Sequence, residues 1–204
     1  EGSEYGLAAA LCPAKPTVPA DCALPAWASR CTSENNASLQ DHARAFDAFI
    51  VHAATKAVVG FVRGRLVRRS AALEEIMHQL PDESYDLISD LFSPRYGFKL
   101  RTEYKSPKSF WGDSLDSGRI VVIERLEIES AHRGKGALRQ LGAPLRTTCR
   151  AWGASSAFAK VAFVKPDGVV IDPAASAPKT AVNDKLRNSF ASMGFRRIGI
   201  TDYM

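Results

Sequence analysis

Over Ala45 to Ala53 the residues fall into two sets of period two, apolar Phe46, Ala48 and Ile50 against Asp47, Phe49 and Val51. That spacing predicts a strand. A turn at Thr55-Lys56 leads to a second strand over Ala57 to Val67, interrupted by Gly60 and Gly64, and the two predict a hairpin. Ser70 then caps a helix over 71–80, with Glu74 and Glu75 in its first turns. Pro81-Asp82 ends that helix and begins another over 83–92. Further on, Ile120 to Ile123 is a β-branched run, and Leu126 and Ile128 then alternate with Glu127 and Glu129. This predicts a strand that puts Glu124 on the face of Leu126 and the two later glutamates on the opposite face.

The strand breaks at Ser130-Ala131-His132, and Arg133-Gly134-Lys135-Gly136 makes a basic glycine turn. Leu138, Leu141 and Leu145 follow at helical spacing, so a helix is expected over 136–152, kinked or broken at Gly142 and Pro144. Residues 157–165 alternate as a strand. Residues 180–193 form a last helix closed by Gly194 in the left-handed conformation, and 196–203 a final strand. Three stretches lack periodicity: residues 1–38, with prolines at 13, 16, 19 and 25, the connection 93–118, and the proline-containing loop 166–178. The first reads as an extended or loosely helical arm. The mixed order of strands and helices predicts an α/β (α+β) layered sheet, with an arm over 1–38 and one domain over 39–204.

At 204 residues the chain has length enough for one real core, and its net charge is +5. The densest basic cluster puts Arg63, Arg65 and Arg69 on one face by period two, as an exposed strand face would. It has no interleaved aromatics, so nucleic acid is not the expected partner. No apolar run approaches the ~20 residues of a membrane helix, and the run Leu7 to Leu11 is too short for a signal sequence. Cys12, Cys22, Cys31 and Cys149 show no metal spacing, nor do His42, His52, His78 and His132. Cys149 falls on the apolar side of a helix and His132 reads as a strand-end surface residue. A disulfide among the first three cysteines would staple a segment with little core; the alternative, taken here, is reduced thiols in a cytoplasmic protein.

A strand, a glycine turn and a helix together aim several free backbone N–H groups and a positive helix end at one point, which suits a phosphate. The same residues carry a resemblance. Arg133-Gly134-Lys135-Gly136-Ala137 after the strand end Leu126-Glu127-Ile128, followed by Asn183, Phe190 and Gly194-Phe195 at matching spacing, resembles the GNAT superfamily of acetyl-CoA-dependent N-acetyltransferases. The stretch from Tyr96 through Trp111-Gly112 to Arg119 is similar to fungal members. The resemblance covers about residues 45–203. It implies a GNAT-like mixed, mostly antiparallel twisted sheet flanked by helices, with splayed central strands near Ile128 and Phe163.

It also implies a reaction: transfer of an acetyl group to a primary amine, of a small molecule or a peptide, by direct attack in a ternary complex. Arg133, Gly134, Lys135, Gly136 and Ala137 would hold the coenzyme A pyrophosphate. Backbone groups at Leu126, Glu127 and Ile128 would hold the pantetheine arm and thioester, and Asn183 and Phe190 would line the cofactor. Phe110 and Trp111 would line the acceptor side. Glu124 is the candidate general base, with an ion pair to Arg63 or Arg65 as its structural alternative. Two positions depart from the family pattern. Leu138 stands where glycine or alanine is usual, which would obstruct the phosphate if its side chain pointed outward. Phe190 stands where a tyrosine often supplies the acid, and a phenyl ring has no proton to give. Tyr203, Ser189 or water would have to substitute. A non-catalytic coenzyme A-binding or interaction module is the rival reading, and a basic nucleic-acid-binding domain a third.

Overall fold

The alternation around Phe46 becomes the middle of an antiparallel ladder. In the computed structural model, which describes residues 4–11, 39, 41–105, 113–160, 179–198, 201 and 203–204, β2 (Ala43–His52) pairs with β3 (Val58–Arg68) as the predicted hairpin. The turn holds Lys56 at φ 53°. Both faces of β2 are covered, so its polar Asp47 is buried along with its apolar residues.

Five strands form one mixed sheet in the order β1 (Tyr5–Leu11), β2, β3, β6 (Arg119–Ile128), β7 (Ala154–Ala159). All neighbours are antiparallel except β6 and β7. Strand β1 lies within the predicted arm, yet it pairs along β2 from Tyr5↔His52 to Leu11↔Phe46 and closes one edge of the sheet. Its alanine-rich sequence carries little strand signal of its own; the ladder with β2 supplies the order. A small second sheet joins β4 (Phe92–Ser93) and β5 (Lys99–Leu100) inside the connection expected to be irregular.

Helices cover both faces. On one face α3 (Ala137–Ala151) and α4 (Lys179–Ser192) pack Leu141, Leu145, Cys149 and Phe190, with Met193 just past α4, against Phe46, Ile50 and Val121. On the other, α1 (Ala71–Ile76) and α2 (Asp82–Leu91) pack Leu73, Leu87, Ile88 and Leu91 against Val67, Ile120 and Val122. Helix α3 runs unbroken through Pro144. Proline removes one helical bond, but the apolar stripe seated on the sheet holds the element together. Gly142 has a packing reason, since a Cβ there would lie 2.5 Å from the Met193 carbonyl oxygen. Gly194 closes the last helix at φ 97°, the left-handed conformation expected of it. The strand expected over 196–203 contributes, among the described residues, a single antiparallel bridge between Lys160 and Tyr203.

Candidate functional site

Strand β6 organises the site, and a bulge decides which way its residues point. Arg63 pairs with Arg125 but Gly64 pairs with Ile123, which leaves Glu124 as the extra residue. Gly64 makes this fit: a Cβ there would lie 2.0 Å from the Val122 carbonyl oxygen and 2.8 Å from the Phe46 ring. Val121 and Ile123 join the cluster beneath α3, and past the bulge so do Leu126 and Ile128. Glu124 instead reaches Ser84 of α2 on the opposite face. The face shared by Glu124 and Leu126 is therefore not observed. Glu127, expected opposite to Glu124, turns to the α2 side, where it pairs with Arg125 beside Phe61. Period two holds on each side of the bulge and fails across it.

Among the described residues, the far half of β6 has a partner on one edge only. Its parallel pairing with β7 ends at Ile123↔Ala159, whereas its pairing with β3 continues to Ile128↔Gly60. The Glu129 N–H donates to the Val59 carbonyl at 2.8 Å. Antiparallel pairs alternate, so Phe61/Glu127 exchange bonds while Val62/Leu126 and Gly60/Ile128 do not. The N–H and C=O groups of Leu126 and Ile128 consequently point away from β3, towards the edge that no described strand pairs. Arg133 uses one of them, donating its Nε–H to the Ile128 carbonyl at 2.7 Å.

The basic turn follows directly. Gly134 and Gly136 sit at φ 74° and 82°, a region open to glycine at little cost, and nothing lies within 4 Å of where their Cβ atoms would be. Helix α3 starts without a side-chain cap or an acidic residue in its first turn. Among the described residues, the N–H groups from Gly134 to Arg139 find no backbone acceptor; the first bonded one is Gln140, to the Gly136 carbonyl. Arg133, Lys135 and Arg139 are exposed around these donors. Ala137 is buried, and Leu138 packs against the core beneath α3 rather than across the turn. Among the described residues, donors without backbone acceptors, a positive helix end, cationic side chains and open space meet here, an arrangement that suits an anion.

On the α2 face, charged side chains form a row across three strands. Arg63 donates to Asp47 at 2.9 Å, and Arg65 donates its Nε–H to Glu124 Oε1 at 2.9 Å. Ser84 Oγ donates to the same Oε1 at 2.6 Å. Arg65 and Glu124 are each only 6% exposed at the side chain and Arg63 is 28% exposed, so the arginine face read from the sequence is an ion-paired face, buried at Arg65, and not an exposed one. Arg69 lies beyond the strand and binds backbone carbonyls instead. Burial raises the Glu124 carboxyl above its ordinary value, while Arg65 and Ser84 act in the opposite direction.

The other expected residues divide. Tyr203 is buried and its hydroxyl donates to Asp90; burial, then this carboxylate, push its pKa up. Phe190 is a core residue with its ring edge-on to Phe195. Ser189 donates back to the Lys185 carbonyl within α4. Asn183 lies in α4, with its side chain outside the described residues, as are Phe110, Trp111, Phe163, Cys12, Cys22 and Cys31. Cys149 is buried, which pushes its thiol pKa up to about 11. His132 is half-buried rather than a surface residue, within 5.3 Å of the His52 ring and 3.4 Å from the Tyr5 hydroxyl. Among the described residues no group of histidine, cysteine and acidic side chains could hold a metal ion.

Ser84 escaped the sequence reading. Its signal was present: it stands three and four residues before Leu87 and Ile88, on the apolar stripe of its helix, where a polar side chain needs a buried partner. No protein-family model matches this chain, and no curated protein or solved structure matches it.

Proposed function

We propose that this protein is an acetyl-CoA-dependent N-acetyltransferase with a GNAT-like arrangement, acting on a primary amine. One observation carries the reading. The anion cradle at Arg133–Ala137 and the outward-turned backbone groups of Leu126 and Ile128 adjoin at the same end of β6. A ligand with a pyrophosphate at one end and an amide-bearing arm at the other matches that pair of features. Leu138 leaves the cradle clear.

Acetyl-CoA supplies an acyl group activated as a thioester. The chain's contribution is mainly positioning and electrostatics. N–H groups at the β6 edge donate to the arm and to the thioester carbonyl. Glu124 accepts the proton that the amine gives up as its nitrogen forms the bond to the acyl carbon; the C–S bond breaks and sulfur leaves with its electron pair. Burial suits Glu124 to this role by raising its affinity for a proton. Tyr203, with its proton held by Asp90 and its pKa raised, is a poor donor to a thiolate, so water supplies that proton.

A non-catalytic coenzyme A-binding module is the second reading, favoured by Phe190 sitting in the core without an acid in its place. Thermal unfolding with acetyl-CoA, against ATP as the phosphate control, tests the cofactor site. A ligand at ~100-fold over its Kd adds ~2.7 kcal/mol, a shift of several degrees at this size. A shift with acetyl-CoA only, followed by release of free thiol with a panel of amines, is the expected result. Binding without thiol release would favour the second reading, and no shift would remove both.

A further inference from the structure

We infer that Ser84 is a positioning residue for Glu124, and that Ser84 and Arg65 together commit one carboxylate oxygen so that the other, Oε2, is the proton acceptor. The inference rests on the proposed acetyl transfer with Glu124 as base. Ser84 is fully buried in the first turn of α2. Its hydroxyl donates to Glu124 Oε1 at 2.6 Å, and the Arg65 Nε–H donates to the same atom at 2.9 Å. Among the described residues Oε2 receives no hydrogen bond, and the side chain keeps 6% exposure. Two donors on one oxygen fix the plane of the carboxylate and leave one oxygen with its lone pairs available.

The bulge makes this anchoring necessary. Glu124 has no register partner on β3 to set its direction. Helix α2 contributes the missing constraint from above, and Arg65 from the side. Because both donors favour the charged carboxylate, they also oppose the effect of burial.

The test is a 13C NMR titration of the glutamate carboxyls in the whole protein, with the Glu124 signal assigned by its loss in Glu124→Gln. Ser84→Ala should move the Glu124 titration upward by about one unit, the scale of one hydrogen bond to a charge. Ser84→Thr, which retains the hydroxyl, should stay near the parent value. Ser84→Cys, similar in size with a weaker donor, should give a smaller upward shift, and keeps the test open should the alanine variant not fold. An unmoved titration in Ser84→Ala or Ser84→Cys overturns the inference. The titration needs no turnover, so it reads the Ser84–Glu124 bond separately: absence of acetyl transfer in the parent protein would remove the proposed function and with it the proton-acceptor role of Oε2, whereas an unmoved titration would remove the anchoring by Ser84 alone. With turnover in hand, the acid limb of kcat/KM against pH should move with the NMR value; a limb that stays in place while the NMR value moves would overturn the positioning role.

Discussion

Glu124 combines three features: an unopposed position in a bulge, a buried carboxylate, and two donors on one oxygen. Replacing it by glutamine keeps the size and an acceptor for Arg65 and Ser84 but removes the proton site. Acetyl transfer should fall by at least the 10²–10⁴-fold that a general base supplies, with acetyl-CoA affinity by calorimetry unchanged. Unchanged turnover would remove Glu124 as the base. The pH dependence has two signs. Activity should rise with pH as the carboxyl ionises, through a value above the ordinary 4.5. Stability should move the other way. The folded pKa exceeds the unfolded one, so the stabilisation from the protonated form is complete below 4.5 and is lost as pH rises through the folded value. Urea unfolding of the glutamine variant should lack that decline.

At the scale of elements, two junctions do most of the positioning. The glycine turn sets the start of α3, and Gly136→Ala would force an alanine to φ 82°. The strain costs roughly 1–2 kcal/mol and the new Cβ enters the open cradle. Coenzyme A affinity should therefore drop about tenfold or more, while the melting point falls by only a few degrees. Equal affinity for the two proteins would mean that the phosphate lies elsewhere. The second junction is Arg69, whose guanidinium donates to the carbonyls of Phe98, Leu115, Ser117 and Gly118 and lies 5.2 Å from the Phe92 ring centroid. One side chain thus ties both flanks of the 93–118 connection to the end of β3. Arg69→Ala should cost about 2–3 kcal/mol by denaturant unfolding and release protection of the amides around Phe98 in hydrogen exchange. A variant as stable and as protected as the parent would contradict this.

Across the whole molecule, β1 is the element least expected to matter. Tyr5 is 1% exposed within the core beneath α3, and the Gln140 side chain of α3 accepts hydrogen bonds from the Glu4 and Tyr5 N–H groups at 2.8 and 3.2 Å. Removing residues 1–11 should lower the melting point by several degrees and promote association through the bared edge of β2, visible as light scattering. A truncated protein that melts and scatters like the parent would make β1 dispensable. The chain's own periodicities were enough for the elements that are long and regular: the β2–β3 hairpin, β6, and the helices α2, α3 and α4, because each buries a stripe whose spacing is written in consecutive residues. The glycine turn was legible for the same local reason. What alternation could not determine was the face of Glu124, since one unpaired residue reverses every position beyond it. An ion pair of Glu124 with Arg63 or Arg65 was foreseeable, and packing chose Arg65; Ser84 could not be assigned to the same carboxylate, nor an alanine-rich segment to the sheet edge. Each of those depends on a partner dozens of residues away, and only tertiary packing brings such partners within hydrogen-bonding distance.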